Sequence, residues 1–271
     1  QAAALSQRFD GATAAPGEAV NLSLIPTRAV SRGEKAAKHA MKADRDHLLQ
    51  LQEVLAASKE RAVLVVLQGM DTAGKDGVIK GPLARNVGRT KVSSFKKPTA
   101  EEAAHDFLWR IKSQAPAKGI IGVFNRSHYE DILVPTVYGT FAKEEIESRY
   151  GRIAQFEKEL TEAGVVIIKL FLHISKAEQK ARLEDRLAEP TKRWKFALFD
   201  LETRKRWDAF QNVYGEVLAR TSTPWAPWHV IAADHKPGRD AKVARLLRKT
   251  LAGLGLQYPE RPDLAGVTVS D

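Results

Sequence analysis

The sequence predicts an α/β fold of three layers, with a five-stranded, mainly parallel sheet between two layers of helices. Three observations predict it. Four short apolar runs and one short, more polar strand-sized segment, "KVSSF", punctuate the chain. Stretches with helical periodicity alternate with them, the pattern of βα units. One of the runs, "GIIGVFN", looks buried, as in a strand of a sheet covered on both faces.

The elements follow in order. Residues 1–30 mix Gly, Pro, Ala and Ser with few periodic apolars and read as an N-terminal arm. Residues 34–58 read as a helix, with Met41, Leu48, Leu51, Val54 and Leu55 at three- and four-residue steps. The first strand is "AVLVVL". "DGVIKGPLARNV" reads as a helix that Gly81-Pro82 bends or restarts. "KVSSF" is the second strand. Thr99, with Glu102 three residues on, forms a capping box for one helix over "AEEAAHDFLWRIKSQ". "GIIGVFN" is the third strand, residues 143–163 a helix, "VVIIKLFLHI" the fourth strand and residues 176–187 a helix. One long helix is expected over 200–220, then "WHVIAAD" as the fifth strand and a last helix over 239–251. No linker or repeat interrupts residues 31–271, which read as a single domain.

Composition narrows the chemistry. The chain has 271 residues and no Cys, which excludes disulfides, thiol nucleophiles and Cys-ligated zinc and fits a cytoplasmic location. No apolar run approaches the roughly 18 residues of a membrane span. "QAAALSQRFDG" lacks Met and a signal-peptide pattern, and reads as a truncated or processed start. Lys+Arg is 43 against 33 Asp+Glu, a net charge of +10, which favours a polyanionic partner. Charge alone does not choose between nucleic acid, an anionic membrane and a phosphate-rich small substrate.

Ligands of parallel sheets bind beyond the carboxyl ends of the strands. After the first strand stands "GMDTAGKDG": Gly69, four residues, Gly74 and Lys75, the G-x-x-x-x-G-K spacing of a phosphate-binding loop. Its glycines let the backbone turn tightly and aim N–H groups at an anion, and Lys75 adds a full charge. The plain alternative is a Gly-rich turn with a solvent-facing lysine. Asp76 replaces the usual Ser/Thr and reads as a helix-start carboxylate. Asp71 lies in the turn itself. A bare carboxylate beside phosphate repels it, so Asp71 implies a metal ion.

After the third strand, "NRSHYEDILV" places Asn125 where P-loop enzymes carry an acidic metal ligand. Arg126 suits a phosphate clamp; Glu130 and Asp131 follow. His128 and Tyr129 read as packing or orienting groups. "KARLEDRLAEPTKRWKF" carries Arg182 and Arg186 on one stripe, then Lys192, Arg193 and Lys195 after Pro190. By spacing it is equally a closing lid or a solvated charged helix. Lys80, Lys96 and Lys97 could line a polyanion track or be ordinary surface lysines.

"GMDTAGKDG", "FNRSHYEDILV", "HDFLWR" and "PWHVIAADHK" together resemble the polyphosphate kinase 2 family, over most of the chain to "YPERPDL". The resemblance implies a thymidylate-kinase-like P-loop kinase fold with a helical lid at about residues 180–200. It implies reversible phosphoryl transfer between inorganic polyphosphate and AMP or ADP, forming ADP or ATP, with Mg²⁺ (Mn²⁺ also possible) and a homo-oligomer, dimer or tetramer. Many members read "FDRSWYNR" where this chain reads "FNRSHYED", a departure similar to the third, AMP/ADP-phosphorylating subgroup. It leaves Glu130 or Asp131 to supply the missing negative charge.

Motif and resemblance together nominate Asp71, Lys75 and Arg126 for catalysis. They nominate Gly69, Ala73, Gly74, Lys75, Asp76, Gly77, Lys80, Arg126, Arg182, Arg186 and Arg193 for phosphate, and Asp71, Asn125 and Glu130 for metal. The expected partners are polyphosphate and adenine or guanine nucleotides, with no membrane and no nucleic acid. Two rivals are an ATP-dependent small-molecule kinase of the same fold and, more remotely, a P-loop nucleic-acid-binding or regulatory protein.

Overall fold

The computed structural model describes residues 17–29, 33–83 and 88–269. Its centre is a five-stranded parallel sheet: β1 Ala62–Gln68, β2 Thr90–Ser94, β3 Ile121–Asn125, β4 Val165–His173 and β5 Trp228–Ala232, in the order β2-β3-β1-β4-β5. All seven residues of β1 are buried, which is why its first six read as an unbroken apolar run. Leu67 pairs with Asn125 across β1 and β3. The loops leaving these two strands therefore emerge side by side.

Helices cover both faces. On one, α1 (Glu34–Ser58) packs along α10 (Lys236–Gly253). On the other, α5 (Glu130–Tyr138), α6 (Lys143–Glu162) and α9 (Trp207–Thr221) pack together, with α6 on β4. Between β1 and β3 lie α2 (Lys75–Lys80), α3 (Ala100–Ala104) and α4 (Trp109–Lys112); α7 (Lys176–Ala188) and α8 (Leu198–Lys205) lie between β4 and β5.

Several expectations need correction. The helix expected over "DGVIKGPLARNV" ends at Lys80, with Gly81 as its cap; residues 84–87 lie outside the described residues. The predicted capping box is present, with Glu102 N–H 3.2 Å from Thr99 Oγ1 and Thr99 N–H 3.0 Å from Glu102 Oε2. The helix it starts is nevertheless short. His105 turns extended and Asp106 Oδ1 accepts the Leu108 N–H at 3.0 Å, an Asp side chain offering the backbone an alternative to the helix.

The long helix over 200–220 is two helices, α8 and α9, broken at Arg206. The break lets α8 aim Thr203 at the loop after β1, while α9 buries Trp207, Phe210 and Tyr214. Helix α5 does not appear among the expected elements, and Pro135 lies inside it. Proline removes the N–H that would reach Asp131 O; Arg149 Nη1 fills that acceptor at 2.8 Å.

The arm expected over 1–30 is partly core. Residues 1–16 and residue 30 are outside the described residues. Leu22–Leu24 forms a 3-10 turn, and Leu22 and Ile25 are buried. Both carbonyls lie 3.1 Å from His173 Nε2. Gly215 on α9 makes this possible, since a Cβ there would meet Val20 O at 2.4 Å.

A charged cluster is buried between β4, α6 and the loop after β3. Lys169 Nζ donates to Glu157 Oε2 at 2.7 Å and to Thr221 O at 2.7 Å. Glu157 Oε1 also accepts from Tyr129 Oη at 2.6 Å and lies 3.0 Å from His128 Nε2. Burial would raise the Glu157 carboxyl, but Lys169 and His128 outweigh it and hold it below its ordinary value. His128 and Tyr129 are thus packing and orienting groups, as expected. Removing one partner leaves a buried uncompensated charge. Lys169→Met is expected to cost about 3–5 kcal/mol in urea unfolding. A loss no larger than the roughly 1 kcal/mol of an exposed pair would contradict this.

Candidate functional site

The loop after β1 has an unusual backbone. Gly69 has φ +149° and Gly74 φ +106°, while Thr72, a non-glycine, has φ +66°. A Cβ on Gly69 would come within 2.7 Å of Leu172 O. A Cβ on Gly74 would fall 1.7 Å from Arg239 Nη1, and one on Gly77 2.8 Å from Arg239 Nη2. The two later glycines therefore make room for an arginine from α10 as well as for the turn. Asp240 holds Arg239 at 2.7–2.8 Å, and its Nη1 lies 3.2 Å from Ala73 O.

Lys75 opens α2 and folds back across the loop, with Nζ 2.7 Å from Gly69 O and 3.2 Å from Met70 O. The first helical bond is from Val78 N–H to Gly74 O, 3.0 Å. The amides of Lys75, Asp76 and Gly77 precede it, in the first turn where donors have no partner within the helix. The Ala73 amide is already committed to Met70 O at 3.1 Å, so it departs from the expected phosphate-facing role. Asp76 is in the first turn, as expected, and also accepts from Asn125 Nδ2 at 2.9 Å.

Arg126, at the end of β3 with φ +60°, bridges the two loops. Its Nη2 donates to Asp71 Oδ1 at 2.6 Å and its Nη1 to Glu130 Oε2 at 3.1 Å. Gln68 Nε2 reaches Glu130 Oε1 at 3.3 Å. Burial would raise the Asp71 carboxyl, but Arg126 and Lys75 outweigh it, and it stays below its usual value. Glu130 and then Asp71 raise the Arg126 guanidinium against the opposing effect of burial. Of the two acids left open by the sequence, Glu130 enters the site. Asp131 turns away to Arg110 at 3.5 Å and Arg149 at 3.9 Å.

Burial and the neighbouring Arg126 push the Lys75 ammonium down to about 8, more than Asp71 and Glu130 can restore. A lysine with a depressed value is charged below it and neutral above it. Anion binding that needs the ammonium is thus expected to weaken as pH rises through about 8. Since kcat/KM reports the free enzyme, it should fall across that value. A profile flat through it would contradict the prediction.

The nominated arginines separate. Arg182 is buried behind the loop with every donor nitrogen committed. Its Nε bonds Glu178, Nη1 lies 2.8 Å from Thr72 O, and Nη2 lies 2.8 Å from Ala233 O and 2.9 Å from Asp234 O. It braces the loop and has no group left for phosphate. Arg186 lies nearer the site, 3.5 Å from Asp200 Oδ2, and its charge helps to lower the Asp71 carboxyl. Arg193 is exposed on the 3-10 segment Pro190–Lys195, its Nε on Leu187 O at 2.8 Å. Lys80 is exposed at the end of α2.

The expected metal set is only partly assembled. Asp71 and Glu130 share Arg126, while Asn125 holds Asp76. Among the described residues, no group of three or more His, Asp or Glu could hold a metal ion. Sequence reasoning missed Arg239, and it missed Thr203, whose Oγ1 lies 2.9 Å from Asp71 Oδ2. Both come from helices distant in the chain, and no local spacing marks them. Among the described residues, no helix is long and apolar enough to cross a membrane.

Comparison with known proteins fits this geometry. Residues 31–257 match the model of the family described as Polyphosphate kinase 2. An AMP/ADP-polyphosphate phosphotransferase of Meiothermus ruber is 45% identical over 235 residues, 86% of this chain and 88% of that protein. An ADP-polyphosphate phosphotransferase of Rhodopseudomonas palustris is 39% identical over 260 residues, 90% of each chain. The crystal structure of Polyphosphate Kinase 2 from Arthrobacter aurescens TC1 superposes with a TM-score of 0.86 at 40% identity, over 92% of this chain and 90% of that one. With a match spanning nearly all of the α/β domain, on a P-loop bridged by Arg126 to the loop after β3, the chain belongs to the polyphosphate kinase 2 family.

Proposed function

We propose that this protein transfers phosphoryl groups reversibly between inorganic polyphosphate and AMP or ADP, forming ADP or ATP. The observation that carries the proposal is Arg126, a cation held between Asp71 and Glu130 beside the Lys75 loop. Phosphoryl transfer asks mainly for positioning and charge stabilisation. Polyphosphate lies with its terminal groups at the loop, where Lys75 gives up the Gly69 and Met70 carbonyls for phosphate oxygen. Asp71 orients the attacking nucleotide oxygen, and Arg126 spreads the charge developing on the transferred group. Arg186 lines the site from the lid side.

The proposal includes Mg²⁺, with Mn²⁺ as a substitute. The donors offered by Asp71, Glu130, Asp76 and Asn125 are hard oxygens, which suit Mg²⁺. Mg²⁺ commonly uses one or two carboxylates plus substrate phosphates rather than a protein cage, which fits a site without a three-carboxylate cluster. Asp71 and Glu130 would hold the ion, which would supply positive charge to neutralise the phosphate oxygens. We also propose a cytoplasmic homo-oligomer.

ATP formation from polyphosphate, Mg²⁺ and ADP tests the proposal. Turnover with ATP as donor to a small molecule, and none with polyphosphate, would favour the small-molecule kinase instead. Salt-sensitive binding of nucleic acid without any transfer would favour the remote alternative.

A further inference from the structure

Two successive residues of α8 reach opposite ends of Asp71. Thr203 is buried, and its Oγ1 lies 2.9 Å from Asp71 Oδ2 and 3.0 Å from Asp200 O. Arg204 Nη1 donates to Gln179 Oε1 at 2.9 Å and to Lys176 O at 2.7 Å. Gln179, fully buried on α7, passes the contact on: its Nε2 donates to Asp71 O at 3.1 Å. The carboxylate is thus fixed through its side chain, and the peptide that carries it through its carbonyl. The next residue, Thr72, is in the left-handed region, so the turn is not held by backbone preference alone.

We infer that Thr203 and the Arg204–Gln179 pair are positioning residues that hold Asp71 in the register required for phosphoryl transfer. The inference rests on the role given to Asp71 above. The basic segment Pro190–Lys195 precedes α8 in the chain, and Arg186 joins Asp200 on α8. Asp71 is therefore aligned when α8 is docked, and a displacement of α8 releases both contacts at once. Oδ1 is already taken by Arg126. Without Thr203, the carboxylate can rotate about that one remaining partner.

Steady-state kinetics of Thr203→Val, Thr203→Ser and Asp71→Ala test this, with Thr203→Val also made in the Asp71→Ala background. Thr203→Val should lower kcat about tenfold, short of the roughly hundredfold that a 1 Å misplacement can cost. Both KM values should be unchanged, and Thr203→Ser should restore the rate. In the Asp71→Ala background Thr203→Val should cost nothing further, because its effect passes through a side chain already gone. A normal kcat for Thr203→Val, or an equal further loss in that background, overturns the inference. An Asp71→Ala enzyme with full activity overturns the role of Asp71 as well, a separate result. If Thr203→Val does not fold, Arg204→Met, on a partly exposed residue, carries the same cycle with the same two outcomes.

Discussion

Lys75→Met is expected to lower turnover by about 10²–10³-fold, the loss typical of removing one preorganised group from a developing negative charge. The fold should survive. Lys75 makes its two hydrogen bonds to carbonyls of its own loop, 2.7 Å and 3.2 Å away, and none to another element. Asp71 and Glu130 both keep Arg126 as a partner when Lys75 is removed, so the thermal midpoint should move little. Lys75→Arg should recover little, because the folded-back path across the loop suits a compact ammonium better than a planar fork. Turnover within a few-fold of normal for Lys75→Met would remove the loop from the chemistry.

Arg126→Lys should also lose about 10²-fold or more, although it keeps the charge. A guanidinium reaches Asp71 with one nitrogen and Glu130 with another, at 2.6 Å and 3.1 Å. A single ammonium cannot span both with the same geometry. The carboxylates would then be less fully compensated, and the one less well paired should take up a proton at higher pH than before. The signature of the defect is therefore twofold: lower kcat, and an acid limb of the pH–rate profile displaced towards neutrality. A lysine variant with wild-type rate and profile would show that bridging by Arg126 is immaterial.

Much of the architecture could be read from the chain because β1, β3 and β4 are buried on both faces, while the polar, partly exposed β2 lies at the sheet edge. "AVLVVL" is apolar throughout for that reason, and β4 runs for nine residues, apolar but for Lys169 and its last residue, His173. That lysine carried no local sign of its partner. Glu157 lies twelve residues earlier, on a helix that reaches it only after the chain folds back. Local propensity failed where a side chain competes with the helix, as at Asp106, and where a proline stays inside one, as at Pro135.

The centre of the site was legible as a motif plus a neighbour: Gly69 to Lys75 after β1, and Asn125 to Glu130 from the end of β3 onward. Parallel pairing brings these together. Its supports were not legible. Arg182 had the spacing of a lid cation, yet four carbonyl oxygens surround its terminal nitrogens. Arg239 and Thr203 belong to helices whose sequences carry no phosphate motif. Their roles arise from where α10 and α8 dock, which periodicity does not specify.

The most direct test is a ³¹P NMR time course with polyphosphate, Mg²⁺ and AMP, with no ATP added, alongside the Lys75→Met variant. ADP should appear first and ATP after it as polyphosphate chains shorten, and the variant should leave all three signals nearly unchanged. Polyphosphate left intact by the wild-type protein, or shortened at the same rate by the variant, would contradict a transfer centred on this loop.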